Sequence, residues 1–131
     1  MNDLIQDIKT RLATVFDKDI IDIYESYDPT LRQEWIRIAL IPSESNNVTT
    51  GKDSILEANG LVQIDLFTPT STRISLDIAD SIVTTMNSKR LLASFQIDRV
   101  WRGVDAIESD WVRTPIFVRF RKFIPNVGTN D

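Results

Sequence analysis

The hydrophobic period changes once, abruptly, in the middle of the chain. From Leu61 to Phe67 it is two: Val62, Ile64 and Leu66 share one face of an extended segment, while Gln63 and Asp65 point the other way. After the turn formers Thr68-Pro69-Thr70-Ser71, Ile74, Ile78, Ile82 and Met86 recur at every fourth residue, a helical stripe widened by Ala79 and Val83. Asp77, Asp80, Ser81 and Thr84 fall on the opposite side of that helix, where they can stay in water. A strand that is apolar on at least one face, followed directly by a helix able to cover it, makes 60–90 the unit around which the rest must pack.

The chain has 131 residues, 42% of them hydrophobic, which suffices for one ordinary core and hence one domain spanning 1–131. It contains no cysteine and no histidine. Disulfides, thiolate nucleophiles and imidazole-based triads or zinc sites are therefore excluded. No apolar run approaches the roughly 20 residues of a membrane helix, and Met1-Asn2-Asp3 lacks the basic start of a secretory signal, so a soluble, unprocessed protein is expected, without membrane partners. The net charge of −4 argues against general nucleic-acid binding, but it is unevenly distributed. Residues 1–88 hold 7 Lys and Arg against 14 Asp and Glu, and residues 89–131 hold 8 against 5. The basic C-terminal third is either a set of solvated partners for acidic strands or a charged mating surface.

Around the central unit, Asn2 or Asp3 can cap a first helix at about 3–17, with Leu4, Ile5, Ile8, Leu12, Val15 and Phe16 on one side. Ile20 to Glu25 reads as extended and is stopped by Tyr27-Asp28-Pro29. Glu34 to Ile41 alternates as a strand that Pro42 ends. The polar stretch 43–54 is expected to be a long loop or hairpin tip, and Asn59-Gly60 signals a turn or bulge. The second helix is placed at about 72–88. In the following strand, Phe95 to Val104, the alternation slips between Phe95/Ile97 and Val100/Val104, which predicts a bulge. Asp105 to Asp110 is a hairpin loop before a last strand, Trp111 to Phe123, which Pro115 places at a sheet edge or at a bulge. Residues 125–131 read as a frayed tail. The order helix, extended segment, strand, loop, strand, helix, strand, strand defines an α+β fold, with a largely antiparallel or mixed sheet of about four to five strands packed by a single layer of two helices.

Catalytic and metal signals are weak. Asp77 and Asp80 lie three apart on a helix without a third oxygen ligand, Asp17, Asp19 and Asp22 lack the glycine and closing glutamate of a calcium loop, and Gly51-Lys52-Asp53-Ser54 lacks the glycine spacing of a phosphate loop. Trp101 and Trp111 stand among Arg99, Arg102 and Arg113, a combination that interfaces favour, that single-stranded nucleic acid also suits, and that ordinary sheet packing explains too.

The runs Trp35-Ile36-Arg37-Ile38-Ala39-Leu40-Ile41-Pro42, Gly60-Leu61-Val62-Gln63-Ile64-Asp65-Leu66-Phe67-Thr68-Pro69, Ile78-Ala79-Asp80-Ser81-Ile82 and Trp111-Val112-Arg113-Thr114-Pro115-Ile116-Phe117-Val118-Arg119-Phe120-Arg121, in this order and spacing, resemble the tail terminator proteins of long-tailed bacteriophages. The resemblance spans Tyr24 to Arg121. Thr70-Ser71-Thr72-Arg73 departs from it by lacking glycines. It implies a non-enzymatic virion protein of the tail and neck, assembled in the host cytoplasm, that forms a homo-oligomeric, typically hexameric ring on the tail tube and ends its growth. Its implied partners are itself, the tail tube protein and the head-tail connector, with DNA at most passing through the lumen. It carries over no catalytic residue, metal or cofactor. The residues expected at interfaces are Asn46, Asn47 and Lys52 on the polar loop, Ile55 just after it, and Trp101, Arg102, Trp111 and Arg113 around the last hairpin. The alternatives are another head-tail joining or tail-completion protein, or a monomeric ligand- or peptide-binding α+β module.

Overall fold

The computed structural model describes residues 2–28, 33–47, 55–70, 75–87, 91–92 and 95–125. In chain order these form α1 (Asn2–Leu12), β1 (Asp19–Asp22), β2 (Trp35–Asn47), β3 (Ile55–Pro69), α2 (Ser75–Asn87), β4 (Leu91–Leu92), β5 (Phe95–Arg102), β6 (Ala106–Glu108) and β7 (Trp111–Pro125). All seven strands join one sheet in the order β1-β2-β3-β7-β5-β4, with β6 paired to β7. Only β1 and β2 run parallel; the other pairs are antiparallel. The α+β class and the single helical layer are as expected. The sheet exceeds the expected four to five strands because β4 and β6 are too short to show a period of their own.

The two periods of the central unit meet in the core. Ile36, Ile38, Val62, Ile64, Leu66, Ile97, Ile116, Val118 and Phe120 line one sheet face, and Leu4, Ile8 and Leu12 of α1 with Ala79, Ile82 and Met86 of α2 close over it. Each of these side chains apart from the small Ala79, fully buried, stabilises the fold by about 1.5–3 kcal/mol. Asp77, Asp80, Ser81 and Thr84 lie on the exposed side of α2, as its stripe requires.

α1 ends at Leu12, short of the expected residue 17. Its last turn tightens, with Thr14 N and Val15 N donating to the carbonyls of Arg11 and Leu12 three residues back, while the Thr14 hydroxyl takes the Arg11 carbonyl at 2.7 Å. Val15 consequently turns outward and Phe16 folds back into the core. Below it, the Glu25 carboxylate accepts from the Asp22 amide and meets Lys9, and these two bonds, the amide first, hold it below its ordinary range.

The polar segment after Ile41 is not a loop throughout, because β2 continues through Pro42 to Asn47 and pairs with β3 as far as Asn47↔Leu56. Residues 48–54 lie outside the described residues. Pro42 is tolerated for a geometric reason. The Ile38 carbonyl accepts from Ile23 N on the β1 side, and since backbone groups alternate along a strand, Leu40 and Pro42 face that side too. Among the described residues no strand pairs with β2 there beyond Ile38, so the missing N–H interrupts no ladder. The register then shifts between Pro42 and Ser45, opposite an uninterrupted β3; Asn59-Gly60 marks where β2 bulges, not a turn.

Pro115 is the second correction. β7 lies inside the sheet, between β3 and β5. The Pro115 carbonyl accepts from Gly103 N at 2.8 Å, so its absent N–H also faces Gly103, where β5 has ended and β6 has yet to begin. The proline occupies a break in its neighbour instead of an edge of its own. The expected loop 105–110 contains β6, leaving only Ser109 and Asp110 as the turn, with Ser109 at a φ of 57°. The slip in β5 is a bulge, as expected, between Ile97 and Arg99, although the strand stops at Arg102 and leaves Val104 exposed. α2 is described over 75–87 of the expected 72–88; residues 71–74, 88–90 and 126–131, including most of the expected frayed tail and the departure after Thr70, lie outside the described residues, and Pro125 is the last residue of β7.

Candidate functional site: the open face of the sheet

The helices cover one face. On the other, cross-strand pairing aligns Trp35 with Phe67, Arg37 with Asp65 and Pro115, and Trp101 with Phe117. The alternation that buries Ile64, Ile116 and Val118 against the helices necessarily turns these residues to the open side.

One end of this face is knit together. Asp65 is 2% exposed. A carboxylate so buried requires compensating partners. It has three: Gln63 Nε2 donates to it at 2.9 Å, Arg37 Nη2 lies at 3.2 Å and Arg113 Nη1 at 3.6 Å. Arg113 also donates to Glu108 at 2.8 Å. Beside this network Trp35 stacks on Phe67 with centroids 4.1 Å apart, touches Tyr27 at 4.7 Å and meets the edge of Trp111 at 6.1 Å. The Arg37 guanidinium lies 5.1 Å from the Phe67 centroid, joining network to rings. The Tyr27 hydroxyl donates to Asp19 at 2.7 Å, and burial, then the Asp19 carboxylate, push it up to about 12. The buried Trp35 indole N–H has no partner among the described residues.

The other end is left open. Trp101 stacks on Phe117 at 5.3 Å, and the Arg99 guanidinium sits 4.8 Å from the Trp101 ring. Arg99 faces Arg119 directly across the β5–β7 pair, and both are exposed. Neither has an ion-pair partner among the described residues, whereas neighbouring Arg121 reaches Asp98 at 3.0 Å.

Of the eight residues singled out from the sequence, Trp101, Trp111 and Arg113 share this face. Arg102 does not: it pairs with Ile116 on the helical side and is held by Asp105 at 3.0 and 3.1 Å. Asn46 and Asn47 are strand residues opposite Glu57 and Leu56, Ile55 stands opposite Pro125, and Lys52 lies outside the described residues. By strand rise the Ile55 end of β3 is roughly 45 Å from its Pro69 end, which pairs with Trp111, and roughly 25 Å from Gln63, which aligns with Trp101 through Phe117, so within one subunit the arm made by the far ends of β2, β3 and β7 does not form one patch with the tryptophans. Arg37, Asp65 and Arg119 were missed, and Arg99 was noted beside the tryptophans without being placed among the expected interface residues. The available signal was a lone acid inside an apolar strand, with arginines at alternating positions in the strands that pair with it.

The architecture defines a two-layer α+β domain in which, among the described residues, no helix covers the second sheet face. No family model and no curated protein matches the chain. Solved structures do match it. One, without a descriptive name, is 13% identical, with a TM-score of 0.64, over 93% of this chain and 95% of that one. Another is a chain from the virion of a native gene transfer agent particle, 14% identical, with a TM-score of 0.53, over 95% of this chain and 93% of that one. At such identities the likeness establishes the fold. Among the described residues no helix is long and apolar enough to cross a membrane, and no three acidic side chains gather where they could hold a metal ion.

Proposed function

We propose that the chain is a structural, non-enzymatic virion protein that assembles with itself as a ring, hexameric by the resemblance of its sequence, on the end of a tail tube and stops its growth. The observation that carries this reading is the match to a chain of a gene transfer agent virion over nearly the full length of both chains. The resemblance of the strand and helix runs to tail terminators narrows the virion role to the end of the tail. The architecture suits it: an arm of β2, β3 and β7 and an open, arginine-rich face give one subunit several unlike surfaces, as a head-to-tail ring needs.

The partners in this reading are other copies of the chain, the tail tube protein and the head-tail connector, with DNA passing through the ring. The test is assembly. Purified protein added to polymerising tube subunits should cap the tubes and shorten their length distribution in electron micrographs, and virions lacking it should carry overlong tails. Tails of normal length left unattached to heads would instead indicate a joining protein, and a chain that stays monomeric with no affinity for tubes would indicate a ligand-binding module.

A further inference from the structure

Two patches of opposite sign, each without an ion-pair partner among the described residues, lie on opposite sides of the domain. On the open face, Arg99 and Arg119 oppose one another across β5 and β7. Like charges so placed disfavour the pairing that holds them, and no carboxylate among the described residues relieves them. On the helical side, Asp77 and Asp80 are exposed on α2, also without an ion pair among the described residues. Asp80 borders a shallow hollow of about 300 Å³ shared with Val15, Ser81 and Thr84.

The two patches match in spacing as well as sign. Residues three apart on a helix hold their Cβ atoms about 5–6 Å apart. Directly opposed residues of an antiparallel pair hold theirs about 4.5–5.5 Å apart. We infer that the Arg99/Arg119 pair of one copy receives the Asp77/Asp80 face of α2 in the next copy, with Trp101 on Phe117 as the apolar floor beside the contact. The occupant is a second copy because the matching anions belong to the same chain, whose overall charge of −4 repels polyanions such as nucleic acid. Since the patches lie on opposite layers, the contact joins unlike surfaces and propagates head to tail. The inference rests on the self-assembly proposed above and specifies its surfaces.

Charge exchange tests it. R99E/R119E and D77K/D80K, each with an unchanged circular dichroism spectrum, should weaken self-association by about tenfold or more in sedimentation velocity, equivalent to about 1.4 kcal/mol. Mixing the two variants should restore it, because each reversed face then meets a partner of opposite sign, and wild-type association should weaken with salt. Wild-type assembly, alone or on tail tubes, that neither double variant changes would overturn this contact and leave the ring standing. Variants that weaken assembly without rescue on mixing would also overturn the pairing. A wild type that stays monomeric even with tubes present would overturn the ring and this contact together. If R99E/R119E leaves assembly intact but abolishes binding of a single-stranded oligonucleotide, the patch serves nucleic acid instead.

Discussion

The two ends of the open sheet face use the same residue types to opposite effect. Around Asp65, arginines and aromatic rings are interlocked, each guanidinium matched to a carboxylate or a ring and Trp35 almost withdrawn from water. Around Arg99 and Arg119 the same chemistry is left unfinished, cation facing cation beside a half-buried tryptophan. Arginine and tryptophan composition therefore does not distinguish a structural patch from an available one. What separates them is a single acid, Asp65 at the register position where Arg37 and Arg113 converge, and no counterpart of it opposite Arg99.

The sharpest way to break this contrast is to strip the knit end of its cations. Replacing Arg37 and Arg113 together by Ala leaves Asp65 buried with Gln63 alone, and should cost about 3–5 kcal/mol in urea unfolding. A loss below about 1 kcal/mol, the scale of exposed pairs, would show that the two ends are equivalent. Gly103 lies at the seam between them: a Cβ there would meet Phe117 Cε2 at 2.8 Å and Pro115 Cγ at 2.9 Å. Gly103→Ala should destabilise by about 1–3 kcal/mol, and an unchanged melting temperature would mean that the seam yields freely.

A smaller effect, confined to the knit end, follows from Tyr27. Its hydroxyl is raised from an ordinary value of 10.0 to about 12, so the fold favours the protonated phenol. That contribution is complete below about pH 10 and drains away as the pH rises towards 12. Tyr27→Phe should remove this alkaline slope from unfolding curves, and an identical slope in the variant would sink the assignment. The smallest change belongs to the open end. Arg119→Gln removes the opposed charge while leaving Arg99 on Trp101, and should raise monomer stability by about 0.2–1 kcal/mol; a decrease would mean that Arg119 has a partner within its own subunit.

Much of the fold was legible in the sequence because it is written in local periods. The stripe of α2, the alternation of β3 and the slip that became the β5 bulge at Asp98 all lie within a dozen residues of their cause. The errors share a different origin. Whether Pro42 ends a strand and whether Pro115 needs an edge depend on what lies beside each proline, and those neighbours are set by segments far away in the chain. β6 has only three residues, too few for a period. The candidate site was less legible for the same reason: Trp101 and Arg102 are adjacent in sequence, yet alternation sends them to opposite faces. That Asp65 is buried was not legible because its partners, Arg37 and Arg113, belong to two other strands.

Pro42 has a consequence beyond its own strand. A chain that repeats itself through one set of surfaces must refuse others, and the outer edge of β2 past Ile38 is an open invitation for another strand to continue the sheet. With the Pro42 nitrogen facing outward there, that edge lacks one amide that an incoming strand's carbonyl would need, and a continued ladder loses a hydrogen bond at that position. The proline thus makes the outer edge of β2 a poorer template for fibre growth.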